Sequence, residues 1–522
     1  MCEPEAKSQI PAKMLTRISF YSLLLYCLVG SLLTVVGAAR VIPSSGDLTG
    51  GEAVNPFLGT LAARTGQLYH PMSSPPYTPQ PFGPLFYVAS SGVAQWARLD
   101  IDATLRLGRT LDFLCLLLCG VTAWLVVRKI GFSREEAALA AMLLLAQPVF
   151  DRWGATMRPD VPALLAMMLA LYFALHVQSM AITASALSGF LVGIGFLVKQ
   201  SAGAAGLAIV LILLLNKRFR SSVVFCIAAG VPVIIALVLL LMHHEQFLEH
   251  FLVAGRTSWS LRGAAGWLAE PHLFRPTAVL LFAVAAIGIP RAVESGEQGQ
   301  MIVSFALVNL FAGFVTVAQL GGQTNYFIPG FAGCALLLPF AMGAFTKNLR
   351  AIEVTGVIVF LGCMAAFADC AGTFVGLPSS RSGKIASLGY ISSLKVLTDN
   401  DYFLVHTRDP VLVDPFTAHS LELRGRWNSS GIVKEIEMAK YDLAILGGGH
   451  TIQAYRGITL FGPEIVKALN ENYEIAFECG AVIVLKPRSR DFSIAPEMLG
   501  IAPHSCVVKP PGPDLIISPF AR

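Results

Sequence analysis

The chain has 522 residues, 55% of them hydrophobic and only 14% charged, with a mean hydropathy of +0.64 and a formal net charge of +5. Soluble domains carry about 25% charged residues, so this composition argues against an ordinary soluble protein and points to a polytopic membrane protein. No dense basic patch accompanies the positive charge, which therefore reads as an orientation signal with no hint of a nucleic-acid partner.

Lys7, Lys13 and Arg17 precede a first apolar run that lacks a clear small-residue cleavage site, so an uncleaved first helix is expected. A bilayer core requires about 20 apolar residues per helix. On that criterion spans are expected near 18–40, 104–127, 135–150, 160–177, 182–198, 202–215, 221–242, 276–290, 301–319, 326–345 and 352–374. The fold class is thus an α-helical polytopic membrane protein with about eleven transmembrane helices. With the N-terminus inside, the cytoplasmic loops hold Arg128, Lys129, Arg134, Lys217, Arg218, Arg220, Arg291, Lys347 and Arg350. That asymmetry obeys the positive-inside rule. An odd number of spans then places residues 376–522 on the opposite, outer side.

Between the first two spans lies a long polar segment, 41–84, in which Asp47 and Glu52 sit among glycines and a proline-rich run follows Tyr69 and His70. Residues 84–99 are apolar but short, and are expected to lie at the outer interface as an amphipathic helix. A second outer loop, 243–275, contains His243, His244, Arg256, Trp259 and Trp267. The adjacent histidines point in different directions along a helix and make a poor metal pair. After residue 376, short β-prone runs such as YDLAIL and GAVIVLKP alternate with helical VKEIEMAK and GPEIVKALNEN. This predicts a small α/β extracytoplasmic domain over 376–522, following a membrane domain over 1–375. Most cysteines lie inside apolar runs and read as small hydrophobes. Cys479 and Cys506 can pair if the tail is extracellular, a point the spacing does not decide.

Ionisable groups at helix ends on one face are the informative ones, because charge buried in lipid is costly unless it is used or paired. On the outer side these are Asp47, Glu52, Asp151, Arg158, Asp160 and Lys199, with Asn325 and Tyr326 opening the tenth span. Glu52 or Asp47 suits a general base, and each equally suits the cap of a turn in a glycine-rich loop. Asp160, just after Pro159, also complements a helix dipole. Arg158 and Lys199 are suited to phosphate, and equally to an ion pair or to snorkelling towards the interface. His70 and Tyr77 give the proline-rich loop a stiff aromatic surface fit for a substrate cleft or an interfacial anchor.

Four segments taken in order resemble the GT-C superfamily of integral-membrane glycosyltransferases, which includes the protein O-mannosyltransferases and the lipid A aminoarabinose transferases. They are GDLTGGEAVNP, GQLYHPMSSPPYTPQPFGPLFY, RPDVPALLAMMLALYF and TNYFIPGFAG. The resemblance covers roughly residues 15–375. It implies transfer of a sugar from a polyprenyl-phosphate donor to a glycan, lipid or protein acceptor at the outer face, in a bacterial inner membrane. It implies catalytic roles for Glu52, Asp47 and Asp160, and substrate binding by Arg158, Lys199, His70, Tyr77, Asn325 and Tyr326. Where relatives mostly carry Asp-Glu, this chain carries Gly51-Glu52. Some relatives use a divalent metal and others none, and nothing in the residues demands one. The competing readings are a secondary transporter, which normally shows repeated halves, and a non-catalytic protein of glycan assembly.

Overall fold

The computed structural model describes residues 9–44, 52, 54–244, 246–254, 259, 275–319, 323–344, 349–375, 393–398, 415–447, 461–479, 482–491, 494–499 and 506–507. Helices dominate. In chain order they are α1 (Gln9–Val41), α2 (Val54–Thr65), α3 (Pro84–Trp96), α4 (Ile101–Lys129), α5 (Arg134–Leu145), α6 (Pro148–Trp153), α7 (Asp160–Ala174), α8 (Ala181–Val198), α9 (Gly203–Leu215), α10 (Phe219–His243) and α11 (Phe247–Ala254). There follow α12 (Pro276–Glu294), α13 (Glu297–Val317), α14 (Ile328–Leu336), α15 (Leu338–Ala344) and α16 (Leu349–Val375).

A helix stands at every position where a span is expected, and seven among the described residues are long and apolar enough to cross a membrane. The interval 135–150 is not one continuous helix. It breaks after Leu145, Gln147 is extended, and Pro148 starts α6 at its first turn. Proline disfavours helical backbone in the residue before it and fits the first helical turn, which accounts for the break. At 12 residues α5 is about 18 Å long, short of the roughly 30 Å hydrocarbon core.

Helix ends are chosen by local chemistry. Asp100 caps α4 by accepting from Ala103 N at 2.8 Å, and Ser133 with Glu136 forms a reciprocal capping box on α5. The helices pack α1 on α16, α4 on α5 and α7, α7 on α8, and α8 on α10. The last pair is close because α8 offers glycine: a Cβ on Gly189 would lie 2.2 Å from Phe225 O. Beyond that seam α10 turns Val223, Ile227, Ile234 and Leu241 outward, as a helix in contact with lipid does.

After α16 the described residues build a sheet of five strands, β1 (Val396–Thr398), β2 (Leu443–Gly447), β3 (Tyr473–Cys479), β4 (Val482–Pro487) and β5 (Cys506–Val507). The strand order is β1-β2-β4-β3-β5, with β1 parallel to β2 and the other pairs antiparallel. Strand alternation sorts the core. Ala444 and Leu446 pack with α17 (Pro415–Glu422), α18 (Ser430–Glu437) and α19 (Pro463–Asn472), whereas Leu443 and Ile445 face a second cluster with Phe477 and Leu499. Cys479 and Cys506 form a disulfide between β3 and β5.

Candidate active site

Two charged residues inside the apolar α4 start the site. Arg109 and Asp112 are three apart, so they share a helix face, and both are buried. Arg109 Nε and Nη2 donate to Glu52 Oε1 and Oε2 at 2.8 and 2.7 Å, a bidentate ion pair with no exposure on either side chain. Arg109 Nη1 also donates to the carbonyls of Val41 and Ser44, which ties the end of α1 to α4.

The turn before α7 closes over this pair. Met157 N donates to Glu52 Oε1 at 2.8 Å, and the next amide, Arg158 N, donates to Asp112 Oδ2 at 2.9 Å. Gly108 permits the approach, since a Cβ there would lie 2.5 Å from the Met157 side chain. Successive backbone amides thus hold two carboxylates from different parts of the chain side by side.

Two residues further on, Asp160 is the hub of a second group. Its Oδ1 accepts from Lys199 Nζ, at the end of α8, and from Asn325 Nδ2 at 2.7 Å. Its Oδ2 lies 3.5 Å from Arg158 Nε. Lys199 Nζ sits 4.4 Å from the centre of the Tyr326 ring, and the Arg158 guanidinium sits over Trp153 at 5.0 Å and Phe82 at 5.7 Å. Arg158 Nε, Asp160 Oδ2 and Asn325 Oδ1 are buried and make no hydrogen bond among the described residues. Five residues expected at the site, Arg158, Asp160, Lys199, Asn325 and Tyr326, therefore meet in one place, and Glu52 adjoins them through the 157–158 amides.

His70 and Tyr77 are placed differently from the substrate contacts expected of them. Tyr77 is buried among Trp427, Leu421 and Ile432 beside the sheet, and Trp427 Nε1 donates to Met72 O at 2.8 Å. Aromatic bulk on a proline-rich loop is what such a packing anchor requires. His70 is held by its backbone: its N–H donates to Gln80 Oε1, and its carbonyl accepts from His250 Nε2. His250 Nδ1 in turn accepts from Gln80 N at 3.0 Å, so the imidazole is neutral and staples the loop to α11. Burial pushes His250 down to about 4, and burial likewise lowers His70. The loop then reaches the cluster: Gly83 N donates to Val198 O at 3.2 Å, and Gln200 Nε2 donates to Pro81 O at 2.9 Å. Asp47 lies outside the described residues. Asp151 turns to α1 and accepts from Thr34 at 3.0 Å.

Among the described residues, the donor set around Asp160 does not suit a divalent metal. Among the described residues no three His, Cys, Asp or Glu side chains converge in a ligating group. Lys199 and Arg158 already place two positive charges beside Asp160, where a metal would need anionic oxygens.

Comparison with known proteins bears on this arrangement. A family model described as dolichyl-phosphate-mannose-protein mannosyltransferase matches residues 96–243, which span α4 to α10 and hold Arg109, Asp112, Arg158, Asp160 and Lys199. The chain is similar to ArnT from Cupriavidus metallidurans, solved in the apo state and bound to undecaprenyl phosphate. The TM-score is 0.58 in both cases at 13% identity, over 88% of this chain and 97% of that one. It is also similar to the archaeal oligosaccharyltransferase AglB from Archaeoglobus fulgidus, solved with an inhibitory peptide and a dolichol-phosphate. There the TM-score is 0.52 at 11% identity, over 92% of this chain and 77% of that one. The chain has the GT-C fold. No curated protein matches it significantly by sequence.

Of the residues that the resemblance singles out, Glu52, Arg158, Asp160, Lys199, Asn325 and Tyr326 lie together, His70 and Tyr77 lie apart, and Asp47 is outside the described residues. Sequence reasoning missed Arg109 and Asp112, which are absorbed in the predicted span 104–127. Their signal was available: ionisable residues within an apolar span mark function or obligatory pairing.

Proposed function

We propose that this protein transfers a sugar from a polyprenyl-phosphate carrier to a cell-envelope acceptor at the outer face of a bacterial inner membrane. The observation that carries the reading is the meeting of Lys199, Arg158 and Asn325 around Asp160, beside the Glu52–Arg109 pair, within a GT-C fold. Departure of a polyprenyl phosphate requires cations for the developing charge, an oriented acceptor and the exclusion of water. Lys199 and Arg158 supply the cations; Asp160 holds them in place and itself accepts from Asn325. Glu52, with both oxygens engaged, fixes Arg109 and the turn before α7. ArnT, solved with undecaprenyl phosphate, and AglB, solved with dolichol-phosphate, support a lipid-phosphate donor. The Cys479–Cys506 disulfide supports an extracytoplasmic C-terminal domain, because such bonds persist in oxidising compartments. It agrees with the positive-inside orientation.

Native mass spectrometry of the purified protein with undecaprenyl phosphate tests the reading. Wild type binds it, and Lys199→Gln binds about tenfold or more weakly, the loss expected for one charge-assisted hydrogen bond to the phosphate. Absence of binding by wild type, or equal binding by the variant, refutes the assignment.

A further inference from the structure

We infer that Asp112 is the proton acceptor for the incoming nucleophile, an inference that rests on the glycosyl-transfer reading above. Of the three carboxylates in the cluster, two are neutralised by cations. Glu52 is chelated by Arg109 and capped by Met157 N, and is completely buried. Asp160 is the counter-ion of Lys199 and Arg158 and accepts from Asn325. Asp112 is different. One oxygen accepts from Arg158 N at 2.9 Å, while Oδ1 has no hydrogen-bond partner and neither oxygen an ion pair among the described residues. The residue as a whole keeps 6% of its exposure.

Its place suits the task. The same residue, Arg158, caps Asp112 through its backbone and faces Asp160 through its guanidinium, so the free carboxylate stands beside the proposed phosphate site. Gly51 has no side chain to supply a carboxylate next to Glu52. Asp112 enters the same neighbourhood from α4, one turn beyond Arg109, and a carboxylate within hydrogen-bond reach of a hydroxyl is what general-base chemistry requires. In the step, the acceptor hydroxyl gives its proton to Asp112 Oδ1 as its oxygen bonds to the anomeric carbon. The bond from that carbon to the phosphate oxygen breaks, and the electron pair leaves on the polyprenyl phosphate beside Lys199 and Arg158.

The test is complementation of a deletion strain with wild type, Asp112→Asn and Asp112→Glu. Envelope sugar is quantified by mass spectrometry per unit of membrane-inserted protein. Asn still accepts the Arg158 N–H, so the turn is kept while the base is lost. Asp112→Asn is expected to lose about a hundredfold or more of transfer, the contribution of a positioned general base. Asp112→Glu is expected to recover part of it. The inference is overturned if Asp112→Asn transfers within twofold of wild type. It also falls if Asn and Glu lose activity equally, which is a packing effect. A deletion strain with unchanged envelope sugars would instead overturn the glycosyl-transfer reading itself.

Discussion

Glu52→Gln is expected to destabilise the protein as well as silence it, and the structure sets the size of the effect. Arg109 has no solvent exposure and makes two hydrogen bonds to Glu52 and three to the Val41 and Ser44 positions. Gln keeps the volume but turns an amide N–H₂ towards a guanidinium that is itself only a donor. Removing one partner of a buried pair leaves the other charge uncompensated and costs about 3–5 kcal/mol. Arg109→Met costs a similar amount from the other side. The double variant removes both charges, and its loss should fall short of the summed single losses by about 2–3 kcal/mol. Unfolding in detergent can be followed with a thiol-reactive dye, since Cys27, Cys119, Cys334, Cys363 and Cys370 are free and buried. A Glu52→Gln variant within about 0.5 kcal/mol of wild type, the range of an ordinary surface change, or strictly additive losses, would refute the buried-pair account.

Trp427→Ala removes a buried ring from the Tyr77 contact and leaves Met72 O without its donor, so a loss of about 3–5 kcal/mol is expected. Limited proteolysis of the full chain should then release a C-terminal fragment faster; an unchanged digestion rate contradicts the anchoring role. His250 is held neutral at about 4, below the ordinary value of about 6.5. Its contribution is therefore whole above about pH 6.5 and is lost as pH falls towards 4. Melting curves should show that decline for wild type and a shallower one for His250→Gln. Alkylation in native membranes should leave Cys479 and Cys506 unmodified until a reductant is added. Modification of both without reductant would contradict an oxidised outer domain.

The helix positions were legible because hydropathy alone marks them: each expected interval holds a helix, and the breaks at Gln147–Pro148 and at Leu337 required local backbone chemistry to anticipate. The sheet was legible in part. YDLAIL and GAVIVLKP are apolar enough to read as strands, while β3, YEIAFEC, carries two glutamates and does not stand out. Asp160, Arg158 and Lys199 were visible as charges at helix ends, although their ion pairs join residues up to 39 positions apart. The Glu52–Arg109 pair spans 57 positions and hides one partner in an apolar helix, so no local pattern shows it. Tyr77 and His70 show the converse limit. An aromatic residue in an outer loop looks the same in sequence whether it faces a substrate or packs beneath a neighbouring domain.

The central claim is that a lipid-linked sugar is consumed here and appears on an envelope acceptor. Mass spectrometry of polyprenyl-phosphate sugars and envelope glycans, comparing a deletion strain with its parent, tests both ends at once. One polyprenyl-phosphate sugar should accumulate while the same sugar disappears from an envelope glycan, lipid or protein. Unchanged pools on both sides would contradict the account.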